Sequence, residues 1–240
     1  MISSSSLGTL HLIPTPLGKN APLEVLPLTI KKAVEELDHF IVENEKNARA
    51  FIKNLAPQKN QESITLYLLN KYTNQLELES FLNPAKEGIS MGLLSDAGCP
   101  SIADPGAVIV KHAHQLGIPV KPLVGPSSLL LALMASGMNG QNFAFNGYLP
   151  IDKTQRIRAI KQFEKKTLKE KQAQLFIETP YRNTKLFDDF LKHLAPQTLL
   201  CVACDLTLET SFIKTYPIAL WKKNKPDLHK RPTLFILDQD

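Results

Sequence analysis

The sequence predicts an α/β protein in two parts: a first domain on a mostly parallel sheet, and a second α+β domain on a mixed sheet. Three observations carry this. Through the first half, short apolar β-rich runs alternate with helical patterns five times over, which implies a largely parallel sheet with helices on both faces. In the second half the strands follow other spacings, and two of them lie only a few residues apart, as in an antiparallel hairpin. The length of 240 residues, 43% hydrophobic and 21% charged, suits a soluble globular chain of one large or two small domains.

Thr9 to Ile13 reads as the first strand. Ile30, Ala33, Val34 and Leu37 then fall at i, i+3, i+4 and i+7, a helical stripe. His39 to Val42 is a second strand, followed by a charged helix from Glu45 to Leu55. Ile64 to Leu69 reads as the third strand and Tyr72 to Leu82 as one helix. Ile89 to Leu94 and Ile118 to Leu123 are strands four and five, with a helix from Ala107 to Leu116 between them. Further strands are expected at 143–148, 173–178, 199–204, 211–216 and 233–237, and Phe187, Phe190, Leu191 and Leu194 mark a helix. Punctuation allows a domain boundary near Val124-Gly125-Pro126 or within 137–142.

Strand four stops in a loop crowded with Asp, Gly and Pro, Ser95 to Gly106, which delivers the chain into a helix. Such a loop presents backbone amides and a carboxylate at the carboxyl edge of a sheet, or is a bare tight turn. Net charge is +5, compatible with an anionic partner such as RNA but too small to establish one. The opening Met-Ile-Ser run has no basic or long apolar region, so no secretory signal is expected. The longest apolar run, Leu129 to Ala135, is far short of the roughly 20 residues of a membrane span. The reading is therefore cytoplasmic. Cys201 and Cys204 have CxxC spacing but lie within a strand, where i and i+3 face opposite ways. With no second pair to complete a zinc site, they read as buried structural thiols, and no metal is expected.

Three loops together carry a resemblance. Ile13-Pro14-Thr15-Pro16-Leu17-Gly18 follows strand one, Ser95-Asp96-Ala97-Gly98-Cys99-Pro100 follows strand four, and Pro122-Leu123-Val124-Gly125-Pro126-Ser127-Ser128 follows strand five. Phe145 to Pro150, Glu178-Thr179-Pro180-Tyr181-Arg182 and Leu206-Thr207 add to it. In order and spacing, nearly the whole chain resembles the S-adenosylmethionine-dependent tetrapyrrole methylase superfamily, nearest the 16S ribosomal RNA cytidine 2′-O-methyltransferase branch. The resemblance implies two α/β domains with the cofactor in the cleft between them, commonly in a homodimer. It also sets the boundary after strand five, giving domains of residues 1–123 and 124–240.

By this resemblance Pro16, Leu17, Gly18, Ser95, Asp96, Ala97, Gly98, Gly125, Pro126, Ser127, Ser128 and Ile177 are the candidate cofactor-binding residues. Gly18 and Gly98 would let the backbone approach a ligand. Asp96 can accept from the donor's ammonium or hydroxyl groups, or cap its own turn. Ser127 or Ser128 suits an N-cap, and the amides there suit a carboxylate. A sugar hydroxyl acceptor also benefits from a general base. Glu43, Glu45, Asp104 and Glu178 are open for that role, with Glu43, Glu178 and Arg182 the catalytic candidates. Arg182, with Lys153, Arg156 and Arg158, can reach RNA phosphates, or the 153–158 group is a solvated helix face.

The chain departs from the branch where acceptor contacts are plausible. An acidic Glu-Asp-Thr-Arg type segment reads here Val42-Glu43-Asn44-Glu45-Lys46-Asn47-Ala48-Arg49, the segment after strand three, Leu68-Leu69-Asn70-Lys71-Tyr72, lacks its His, and an Arg-Glu-Leu-Thr type motif reads Cys204-Asp205-Leu206-Thr207. The expected activity is methyl transfer to small-subunit ribosomal RNA. The alternatives are a small tetrapyrrole-like acceptor or a non-catalytic RNA-binding relative. A dinucleotide-dependent dehydrogenase is disfavoured, because the first turn supplies one glycine rather than G-x-G-x-x-G.

Overall fold

The computed structural model describes residues 6–239, in two compact units that divide between Ser127 and Ser128. The opening segment, on which the expectation of no secretory signal rests, lies largely outside the described residues. The first unit runs β1 (Leu10–Ile13), α1 (Pro22–Val25), α2 (Leu28–Glu36), β2 (His39–Val42), α3 (Glu45–Leu55), β3 (Thr65–Leu68), α4 (Gln75–Ser80), α5 (Asn83–Lys86), β4 (Met91–Leu94), α6 (Ala107–Gln115) and β5 (Val120–Pro122).

Its five strands pair in parallel in the order β3-β2-β4-β1-β5. Successive residues of a strand face opposite sides, so each strand feeds two cores. Ile13, Phe40, Val42 and Leu94 join one apolar cluster, while Leu10, Ile41, Met91 and Leu93 join the other. Covering both faces leaves the carboxyl edge as the open place for polar loops.

One expectation is corrected. The helix foreseen from Tyr72 to Leu82 is shorter, α4 alone at Gln75–Ser80. Asn74 and Glu77 form a reciprocal capping box that starts α4 only at Gln75. Beyond it α5 starts afresh at Asn83, and Pro84 suits its first turn, where the missing N–H would have no partner in the helix.

The second unit runs α7 (Ser128–Ser136), β6 (Phe143–Tyr148), α8 (Lys153–Glu170), β7 (Ala173–Ile177), α9 (Asn183–His193), β8 (Leu199–Cys204), β9 (Phe212–Pro217), α10 (Ile218–Trp221) and β10 (Thr233–Asp238). Its sheet order is β6-β7-β10-β8-β9. Only β6 and β7 pair in parallel, so the sheet is mixed, and β8 and β9 form the expected antiparallel hairpin. Phe176, Phe187, Phe190, Phe235 and Trp221 dominate the core, and the Trp221 ring N–H donates to the Leu200 carbonyl at 2.7 Å.

Arg156 is not part of a solvated or phosphate-facing group. It is 4% exposed, its Nε donates to Asp189 Oδ2 of α9 at 2.8 Å, and its guanidinium also reaches the carbonyls of Pro150 and Ile151. A planar fork with several donors suits such a buried knot. Cys201 and Cys204 are both buried in β8; burial pushes the Cys201 thiol up to about 11 and raises that of Cys204 as well. Both sulfurs therefore stay protonated near neutral pH. Among the described residues no helix is long and apolar enough to cross a membrane, and no group of three His, Cys, Asp or Glu side chains could hold a metal ion.

Candidate functional site

β1 and β4 are neighbours, so the segments leaving their carboxyl ends run side by side. The Thr15 N–H donates to the Gly98 carbonyl at 3.0 Å, and the Gly98 N–H returns to the Thr15 carbonyl at 3.1 Å. The Thr15 hydroxyl adds a bond to the Ser95 carbonyl at 3.1 Å. Gly98 sits at φ 77°, in the left-handed region, and a Cβ there would also crowd Leu17 Cδ2 at 3.0 Å. The β5 loop closes against both. Gly125 lies so near Pro14 that a Cβ would overlap the proline ring, and Cys99 Sγ donates to the Pro126 carbonyl at 3.4 Å. The three loops that carry the family resemblance thus meet at one point of the first unit.

Within the β4 loop the polar groups divide their work. Ser95 Oγ donates to the Ala97 carbonyl and accepts from the Ala97 N–H. Asp104 Oδ1 accepts from the N–H groups of Ser101 and Gly106, both at 2.8 Å. Capping the turn is therefore the work of Asp104, and Asp96 is left to face outward. The exposed Asp96 carboxylate accepts from Asn47 Nδ2 at 3.2 Å, and its backbone N–H donates to Glu43 Oε1 at 3.3 Å.

Beside this loop opens a cavity of about 530 Å³. Thr15, Pro16 and Gly18 line it from the β1 loop, Glu43 from the end of β2, Asn47 and Phe51 from α3, and Ser95 and Asp96 from the β4 loop. Glu43 is half-buried, and burial raises its carboxyl above the usual glutamate range; the Asp96 N–H works against this, and the nearby Asp104 and Asp96 charges add to it. A carboxylate so placed, on the wall of the cavity, is a stronger base than one in water. The other acids are engaged. Glu45 pairs with Arg49 at 2.9 Å, and Asp104 holds its own turn.

In the second unit, the half-buried Ile177 ends β7. The buried Glu178 next to it accepts through Oε1 from the Thr179 N–H and from the Arg182 guanidinium, whose Nε lies at 3.0 Å. Glu178 and Arg182 are each other's partners. Of the residues singled out in the sequence, Pro16, Gly18, Glu43, Ser95 and Asp96 share the cavity. Leu17, Gly98, Gly125 and Pro126 build the loop junction beside it. Ala97 is exposed at the loop tip, Ser127 ends the first unit and Ser128 begins α7. Sequence reasoning did not single out Thr15 or Asn47. Thr15 stood inside a recognised motif, and Asn47 stands at N3 of a helix capped by Asn44, so its amide points back toward the sheet edge.

No family model matches the chain. It is 27% identical over 239 residues to the ribosomal RNA small subunit methyltransferase I of Escherichia coli O157:H7, covering 98% of this chain and 79% of that protein. It is 29% identical to the protein of the same name from Thermotoga maritima, over 92% of this chain and 95% of the other. Among solved structures it resembles the methyltransferase CobJ with a TM-score of 0.64 at 15% identity, over 97% and 94% of the two chains. It also resembles a uroporphyrin-III C-methyltransferase from Thermus thermophilus complexed with S-adenosylhomocysteine, with a TM-score of 0.58 at 16% identity, over 96% and 97%.

Proposed function

We propose that this chain, which belongs to the tetrapyrrole methylase superfamily of S-adenosylmethionine-dependent methyltransferases, methylates a ribose 2′-hydroxyl of small-subunit ribosomal RNA. The observation that carries the acceptor is the similarity to ribosomal RNA small subunit methyltransferases across nearly the whole chain, against structural likeness alone for the tetrapyrrole enzymes. In this reading it works in the cytoplasm as a homodimer, with the small ribosomal subunit or its RNA as partner.

The residues present fit the methyl donor. Gly98 lets the loops pack closely where a side chain would crowd Leu17, and the Asp96 carboxylate, bonded to one amide, has acceptor capacity left for an ammonium or a ribose hydroxyl. The residues of the β1 and β4 loops, 16–18 and 95–98, with 125–127, would hold it. Bound there, the donor supplies a methyl group on an already activated leaving group, so the protein's share is alignment and proton management. Glu43 is the group we assign to accept the proton of the attacking hydroxyl. It lines the cavity and its raised pKa increases its basicity. Asp96 steadies it through the backbone N–H.

The test is transfer of labelled methyl from S-adenosylmethionine to small-subunit RNA from cells in which the corresponding gene is deleted, followed by mapping of the nucleotide. A single labelled 2′-O-methylated site is expected. Absence of transfer to any RNA, or transfer to tetrapyrroles instead, would overturn the reading.

A further inference from the structure

We infer that the outer face of α8 is a docking surface for the phosphate backbone of the RNA, an inference that rests on the RNA-methylating reading above. At 3.6 residues per turn, Arg158, Lys161, Lys165 and Lys169 fall within an arc of about 80°, forming a stripe about 16 Å long. All four are exposed, and none forms an ion pair with a described residue.

The acids of the helix stand elsewhere. Glu164 lies about 120° from Arg158 around the axis, and its Oε1 accepts from the Ala195 N–H at 2.7 Å and the Thr198 hydroxyl at 2.6 Å. Glu170 lies about 120° away in the other sense. No carboxylate therefore sits within the stripe to neutralise it.

An ordinary solvated helix face alternates charges, because like charges four residues apart repel. Here Lys161, Lys165 and Lys169 repeat at that spacing with one sign. The helix dipole welcomes cations in its last turn, which accounts for Lys169 but not for Arg158 or Lys161. The stripe is held in place from behind. Arg156, on the buried side, is tied to Asp189 of α9, and Ile160 and Thr167 are fully buried. A row of unpaired cations along one helix face is the complement of a polyanion with regularly spaced charges. Four such contacts supply affinity and orientation without sequence choice, leaving base selection to the cavity.

The test compares two quadruple variants of the full chain: Arg158→Gln, Lys161→Gln, Lys165→Gln and Lys169→Gln together, and Lys32→Gln, Lys53→Gln, Lys86→Gln and Lys111→Gln together on exposed sites of the first unit. Binding to a small-subunit RNA fragment is measured against salt, and thermal melting confirms that both variants fold. The stripe variant is expected to lower the slope of log K against log salt by about 3, and to bind on the order of tenfold to a hundredfold more weakly at low salt. Its KM for RNA should rise while kcat at saturating RNA stays unchanged. An unchanged slope, or an equal loss in the control variant, overturns the inference. Methyl transfer by the unmodified chain is scored separately, so a chain that binds RNA through the stripe but methylates none would sink the functional reading alone.

Discussion

Glu43 and Glu178 occupy the same kind of position, the residue just past a sheet strand, and end up with opposite chemistry. Glu178 is committed to a cation: a backbone N–H and the Arg182 guanidinium converge on its Oε1, and the pair fastens the strand end to the turn before α9. Glu43 receives an N–H from Asp96 and pairs with no cation among the described residues, and burial raises its pKa at the wall of the cavity. A carboxylate at a strand end is therefore not a base by position. The difference is made by what stands four residues on: Arg182 after Glu178, and Asn47 after Glu43.

The sharpest way to break this contrast is Glu43→Gln, which keeps the shape and removes the base. Single-turnover methylation of RNA should slow by about 10²- to 10⁴-fold. At pH 7 the same variant should melt slightly higher, not lower, because the glutamate's raised pKa means that its ionised form is disfavoured in the fold. Fully present stability below the ordinary glutamate value of 4.5 is lost as pH rises through the higher folded value. The advantage of the variant should accordingly vanish in melts run below pH 4.5. An activity loss without that pH signature would remove Glu43 from its assigned role.

Glu178→Gln should do the reverse, leaving kcat within a few-fold. It should cost about 1–3 kcal/mol in chemical denaturation, discounted from a fully buried pair because Arg182 is partly exposed. Gly98→Ala tests the junction beside the cavity: the left-handed backbone makes a loss of about 1–2 kcal/mol expected, with weaker binding of the methyl donor by calorimetry. The mildest change is Asp96→Asn. It keeps the bond geometry but not the charge, so donor affinity should fall by about tenfold, worth some 1.4 kcal/mol.

Much of the first unit was readable in its residues. Alternating apolar runs placed all five parallel strands, and the glycines and prolines of the three loops marked where the backbone had to crowd. What escaped is what depends on partners distant in sequence. The helical period puts Arg156 on the side of Ile160, away from Arg158, but the partner that lets a charge stay inside, Asp189, stands on another helix. Likewise the freedom of Asp96 follows from Asp104 having taken over the turn, a division of labour between two similar side chains that spacing does not reveal. The late start of α4 was also written in the chain: Asn74 and Glu77 have capping-box spacing, which a helical pattern begun at Tyr72 passed over.

The reciprocal pair of bonds between Thr15 and Gly98 has a bearing on how this edge can vary. It is made by main chain on both sides, so exchanging the side chain of residue 15 alters the surface of the cavity without unfastening the two loops. Loop length has no such latitude. Deleting one residue between Pro14 and Gly18, or between Ser95 and Gly98, shifts the facing groups out of register. New acceptor preferences are therefore open to this edge by substitution, and closed to it by insertion or deletion.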